Sequence, residues 1–173
     1  MSAARKKRSV IVENATAYPT AEVARIVRFA LREAGVNEAM GAAAHRVVVK
    51  VKHHNGPHPC HGHIYYHPST HGVQLLRRRA GGYDEWVTIE PKVPPGTKHL
   101  IVCNLVRPGA CTWPNTTANR PEQLDVPISS WQEALVTVAA HEGYHLWSYE
   151  KAALRRRARK PKQSEVECEM AGQ

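Results

Sequence analysis

The sequence predicts a single α+β domain in a chain of 173 residues. Apolar residues recur at helical spacing near the N-terminus and again towards the C-terminus, and the runs between them are rich in β-branched residues. A chain of this length can bury a hydrophobic core without disulfide bonds. We expect residues 1–9 to form a disordered basic tail and residues 10–173 to form one domain.

The first helix is expected to have Thr20 as its N-cap and to stop at Gly35, a glycine in the C′ position. Its apolar face consists of Val23, Ile26, Val27, Ala30 and Leu31. β-branched content and apolar runs predict strands at 9–13, 46–52, 63–66, 74–79, 86–90 and 99–106.

The C-terminal half begins with a loop at 107–127 that is rich in Pro, Asn and Thr. Ser130 and Glu133 form a capping box, which predicts a helix from this point. The helix must end before Pro161, because proline cannot continue it. A second capping box predicts a last helix that begins near Glu165.

Composition and charge narrow the possible classes of protein. The net charge of +9 favours contact with polyanions. The four cysteines are scattered without a CxxC pair, as expected of reduced thiols. No run approaches the ~20 apolar residues of a membrane span, and no secretory signal is evident. We therefore expect a soluble cytoplasmic protein that does not contact a membrane.

A metal-binding pattern, HExxH, is formed by His141, Glu142 and His145. Residues four apart lie on one face of a helix, so both imidazoles can bind the same Zn²⁺. Glu142 would then lie within reach of a metal-bound water as its general base. The apolar stripe of the helix passes through these positions, and burying them unpaired would cost several kcal/mol. A metal ion would remove that cost; the alternative is a histidine pair that faces solvent or finds partners in the core.

The third ligand must come from outside this helix, because a catalytic zinc site has three protein ligands and an open fourth position. Glu165 follows His145 at a distance that allows a turn and a second, returning helix. Glu169 lies one turn further on the same face, where it could accept the Nδ1–H of a ligating histidine. The alternative for Glu165 is a solvated carboxylate at a helix start.

The segments HEGYH at 141–145 and EVECE at 165–169 resemble the signatures of gluzincins, a branch of the zincin metallopeptidases, and especially of its compact minigluzincin-like and SprT-like members. The resemblance implies a zincin-like fold with an N-terminal helix, a small mixed or antiparallel sheet, the HExxH helix and a glutamate helix. It also implies that His141, His145 and Glu165 bind zinc, that Glu142 is the general base and that Glu169 supports a ligand. Glu169 stands where the family usually has Asp.

The activity implied is zinc-dependent hydrolysis of peptide bonds in a protein or peptide substrate. By this resemblance zinc would lower the pKa of a bound water towards ~7 and would polarise the peptide carbonyl, and Glu142 would accept the proton of the attacking water. An extended substrate would pair with an exposed edge strand beside the cleft. Tyr149, Tyr144 and a histidine of the 53–71 segment are the candidates for stabilising the oxyanion.

Seven histidines and Cys60 lie within residues 53–71. His58, Cys60, His61 and His63 could hold a second zinc ion. No recognised finger spacing is present, however, and three prolines interrupt the tract. A loop or strand near the cleft is the favoured interpretation.

Basic residues are concentrated at 151–162, at 77–79 and in the N-terminal tail. Such runs usually form solvated helix ends, but together they could make a DNA-facing surface. The rival function is therefore a basic nucleic-acid-binding protein, or a DNA-associated protease, whose zinc site is structural or inactive.

Overall fold

The computed structural model describes residues 10–36, 46–54, 60–78, 84–106, 112–113 and 126–154. The helices are α1 (Thr20–Glu33), α2 (Pro68–His71) and α3 (Trp131–Leu154). The strands are β1 (Val10–Ala15), β2 (Arg46–His53), β3 (His61–Tyr66), β4 (Val73–Arg78), β5 (Asp84–Ile89), β6 (Thr97–Leu105), β7 (Thr112–Trp113) and β8 (Val126–Pro127). The predicted α+β class is confirmed, and the main sheet is mixed.

The main sheet has four strands in the order β1-β2-β6-β3. The first three are parallel to one another, and β3 runs antiparallel to β6 at the edge. The chain leaves β1, passes through α1 and returns as β2, which is how two parallel neighbours are normally connected. Two further pairs, β4 with β5 and β7 with β8, form separate two-stranded ribbons.

The two long helices pack on one face of the sheet, and this layer holds the main core. Alternate residues of the strands point into it, so the central strand β2 contributes Val47, Val49 and Val51. The opposite, outer face carries a smaller apolar cluster of Val48, Val73 and Leu100. Val48 is buried on the outer face, so β2 is covered on both faces. This explains its uninterrupted run of valines, which is typical of buried parallel strands.

Two of the predicted helix ends are confirmed and one is wrong. Gly35 has a φ of 76°, a left-handed conformation that ends α1 as predicted. At the start of α3, Ser130 Oγ accepts from Glu133 N and Ser130 N donates to Glu133, both at 3.1 Å, so the capping box is confirmed. The expected N-cap at Thr20 is wrong. Pro19 occupies that position without a side-chain cap, and Thr20 is already helical.

Some elements of the structure were not predicted, and some predicted elements lie outside the described residues. The short helix α2 and the β7–β8 pair were not predicted. Both short strands lie within residues 107–127, so the expectation of an uninterrupted loop there is wrong. The expected basic tail at 1–9 and the glutamate helix near Glu165 lie outside the described residues. None of the helices within the described ranges is long and apolar enough to cross a membrane.

Candidate metal centre

The HExxH segment lies in the middle of α3, on the side that faces the sheet. His141 and Glu142 are buried, with 8 % and 4 % exposure, and His145 is half-buried. The helix brings these groups to one place because residues three and four apart share a face. Burial of two imidazoles and a carboxylate among apolar neighbours is costly unless each finds a partner.

Gly143 allows α1 to approach the HExxH turn closely. A Cβ atom at this position would lie 2.9 Å from Cδ2 of Leu31 and 3.0 Å from Cβ of Ala34. These distances are shorter than ordinary carbon contacts. The N-terminal helix therefore packs directly behind the HExxH turn, and this packing explains the glycine at position 143.

The Nε2 atoms of His141 and His145 lie 3.1 Å apart. Two Zn–N bonds of about 2.0–2.1 Å at a tetrahedral angle would separate the nitrogens by about 3.3 Å. The same separation suits one N–H···N hydrogen bond between neutral imidazoles. The two residues therefore converge at the distance that a shared metal ion requires, with little movement needed to admit it.

Glu142 lies beside this pair and against the edge strand. Its Oε1 is 3.8 Å from Nε2 of His141. Its side chain packs on the backbone of Gly62, where a Cβ atom would lie 2.5 Å from the same oxygen. A side chain at position 62 would occupy the space that the carboxylate now fills. The negative charge of Glu142 also reaches its neighbours: burial, and then this carboxylate, raise the pKa of Cys103 and of Tyr65.

The other end of β3 contacts the next turn of α3. The hydroxyl of Tyr66 donates to the backbone carbonyl of His145 at 3.3 Å, and its ring stacks on Tyr149 with centroids 4.0 Å apart. Tyr149 thus lies one turn beyond His145, beside the edge strand. Its predicted role as a transition-state stabiliser stays a prediction.

A buried ionic network anchors α3 to β6 beyond the histidine pair. Nε2 of the fully buried His99 donates to Glu150 at 2.8 Å, and Lys98 lies 2.9 Å from the same carboxylate. Burial opposes ionisation of Glu150, but the hydrogen bonds from His99 and Lys98 outweigh it and lower its pKa to about 2. Burial lowers the pKa of His99, which keeps the imidazole neutral.

Two predicted site residues, Glu165 and Glu169, lie outside the described residues. Among the residues that the structure does describe, no group of three or more His, Cys, Asp and Glu side chains is gathered that could hold a metal ion. The described part of the candidate centre therefore consists of the two imidazoles of His141 and His145 and the adjacent carboxylate of Glu142. A third ligand from a later segment of the chain stays a prediction.

The histidine-rich tract does not form one cluster. Cys60 is fully buried in the main core, on the helix side, whereas His61 and His63 line the outer face of the sheet. His53 lies elsewhere, edge-on to Tyr18 with ring centroids 5.2 Å apart. Within the described residues the suggested second zinc site is thus not brought together, since Cys60 and its neighbours point to opposite faces; His58 lies outside them.

The basic segments fall mostly outside the described residues, which end at Leu154 in this region. Of the 151–162 run, the side chain of Lys151 is described, and it lies over the ring of Trp147, 4.1 Å from the centroid. This contact is typical of a cation at a helix surface. The nucleic-acid interface stays a prediction.

Gly62 and Tyr66 also contact the candidate site, and neither was predicted to do so from the sequence. A glycine inside a strand pattern often marks the close approach of another group, so Gly62 in the segment HGHIYY was a usable signal. Tyr66 has no comparable signal, because its partner is a backbone carbonyl on a distant helix.

Comparison of the chain with protein-family models, curated proteins and solved structures found no match.

Proposed function

We propose that the protein is a zinc-dependent metallopeptidase of the HExxH...E type, with a zincin-like fold. His141, His145 and Glu165 would bind zinc, and Glu142 would be the general base. The observation that carries the proposal is the convergence of the two Nε2 atoms at 3.1 Å with a buried carboxylate beside them. Helix periodicity alone would not require the two rings to meet edge to face.

Zinc supplies a Lewis acid that acidifies water and polarises a peptide carbonyl. The chain's own residues do the rest. Glu142 is held between α3 and β3, where its carboxylate can accept a proton from water and pass it to the leaving amine. Gly62 leaves room for that carboxylate, which is itself buried.

The edge strand β3 supports the choice of an extended substrate. His67 N donates to the carbonyl of Lys98 at 2.7 Å. In an antiparallel pair, the backbone groups of every second residue face the neighbouring strand. Counting back from His67, the odd-numbered residues of β3 therefore face β6. The backbone groups of Gly62 and Ile64 therefore face away from β6, on the open side of the sheet in the described residues. A peptide added there as a further strand would pass directly beside Glu142.

Metal content and hydrolysis test the proposal together. We expect the purified protein to bind about one zinc ion per chain and the His145→Ala variant to lose it. The Glu142→Gln variant should keep the zinc, while its hydrolysis of a mixed peptide pool should fall by at least about 100-fold. His53→Ala is the matched control, since it removes an imidazole that lies against Tyr18 rather than at the site. Full zinc binding by His145→Ala, or undiminished hydrolysis by Glu142→Gln, would refute the proposal.

A further inference from the structure

The two faces of the edge strand differ in character. Gly62, Ile64 and Tyr66 face α3 and the main core. Side chains alternate along a strand, so His61, His63 and Tyr65 face the outer side of the sheet. The face of β3 towards α3 thus contacts the proposed metal centre. The outer face carries the imidazoles of His61 and His63, which have no part in the proposed hydrolysis.

These imidazoles line an open groove of about 520 Å³ on the outer face. His61 is opposite Asn104 of β6, which is opposite Lys52 of β2. Two residues further along β3, His63 is opposite Val102, which is opposite Lys50. Each histidine therefore heads a row across three strands that ends in a lysine.

The rings of this face touch in a chain. His54 lies edge-on to His61 with centroids 4.9 Å apart, and His61 lies edge-on to His63 at 5.2 Å. The three imidazoles do not converge as metal ligands, because no metal-binding group of three is gathered anywhere in the described residues. They form a row of adjacent rings along this face rather than a coordination site.

The charges that surround the groove are mainly positive. Lys52 has no carboxylate within ion-pair distance among the described side chains, whereas Lys50 lies 3.2 Å from Glu13. Glu90 and Lys92 also line the groove. Burial, and then the neighbouring His61 and Lys52, lower the pKa of His63. The lysines along the groove favour a negatively charged ligand on this face.

We infer that His61 and His63 select extended peptides that carry carboxylate side chains at alternate positions. The inference rests on the proposed peptidase function, because it places the substrate on the open edge of β3. Side chains directly opposite across two strands lie about 4.5–5.5 Å apart at Cβ. Substrate residues opposite His61 and His63 would be separated by one residue, and both would project onto the outer face. An imidazole N–H donated to a carboxylate is a charge-assisted hydrogen bond.

The experiment measures peptide binding separately from hydrolysis. Two fluorescent pools of ten-residue peptides contain random uncharged residues. Two positions that are separated by one residue are fixed, as Glu in one pool and as Gln in the other. Their binding to full-length Glu142→Gln protein is measured by fluorescence anisotropy at low salt. We expect the Glu pool to bind about tenfold more tightly than the Gln pool, and the preference to shrink as salt is raised.

The variants locate that preference. In the His61→Gln/His63→Gln background the two pools should bind equally, and Lys52→Gln should reduce the preference in part. His53→Gln is the matched control and should keep it, because His53 lies away from the groove. Thermal unfolding confirms that each variant is folded; if the double variant is not, His63→Gln alone must reduce the preference.

Two outcomes overturn the inference: equal binding of the two pools by the parent protein, or a preference that survives in the folded double variant. Failure of the proposed function gives a different result. If the unmodified protein hydrolyses neither pool while the Glu pool still binds through His61 and His63, the selection stands without the peptidase. If it hydrolyses both pools at equal rates, the peptidase stands and the selection is refuted.

Discussion

The carboxylate of Glu142 lies against the backbone of Gly62, so closely that a Cβ atom at position 62 would be 2.5 Å from Oε1. One residue belongs to the centre of α3 and the other to the edge strand of the sheet. The contact joins the group proposed to move protons with the strand proposed to bind the substrate. A substitution in β3 at position 62 should therefore change the rate of hydrolysis.

Gly62→Ala is expected to lower hydrolysis by at least about tenfold while zinc remains bound. The added methyl group would displace the Glu142 carboxylate from its present position beside His141, and a displaced general base loses most of its contribution. The rate of peptide hydrolysis and the zinc content, measured on the same preparation, check this expectation.

Gly96→Ala is a suitable control for that variant. Its methyl group would meet nothing within 4 Å, although the φ of 75° makes the substitution strained. It should reduce stability without changing the rate per folded molecule. Equal rates for Gly62→Ala and the parent protein would show that the carboxylate does not need this space.

Gly143→Ala is expected to destabilise the fold by about 1–3 kcal/mol. The new Cβ would overlap Leu31 and Ala34 of the neighbouring helix segment, so α1 would have to move. Alanine favours helix by up to about 1 kcal/mol over glycine, which offsets part of the loss. Chemical denaturation of the metal-free protein measures the change; an unchanged or raised midpoint would contradict the packing described at this turn.

Stability should fall in acid because of the pair formed by His99 and Glu150. The pKa of Glu150 is about 2 in the fold against an ordinary value of 4.5, so its stabilisation is present above pH 4.5 and is lost as the pH falls towards 2. The pKa of His99 is also lowered by burial, from an ordinary 6.5, so the unfolded chain takes up that proton first and stability begins to decline below pH 6.5.

The variant Glu150→Gln tests this assignment in chelator-treated protein. We expect a loss of about 3 kcal/mol at pH 7, because Lys98 and His99 lose a buried anionic partner, and a flatter profile below pH 4.5. Glu13→Gln is the control, since its ion pair with Lys50 is partly exposed and should matter by less than about 1 kcal/mol. Urea unfolding from pH 8 to pH 3 provides the measurement. A parent profile that does not change over this range would be the contrary result.

Several features were predictable because they depend on residues close together in the chain. Helical spacing identified the buried face of α1, from Val23 to Leu31, and left-handed Gly35 ends that helix. The spacing of four residues put His141 and His145 on one side of α3, and the Ser130–Glu133 box marked its start. The Thr20 cap failed for a local reason, since the helix begins one residue earlier than the capping preference suggests.

Only the tertiary structure decided which strand stands at the edge and what lies on each of its faces. The segment HGHIYY does not by itself predict that β3 pairs only with β6 among the described strands. It also does not predict that Gly62 contacts Glu142 while His61 and His63 lie on the opposite face. The order of strands depends on contacts between residues far apart in the chain. Short-range periodicity encodes how a segment is shaped; the packing of the whole core determines what that segment touches.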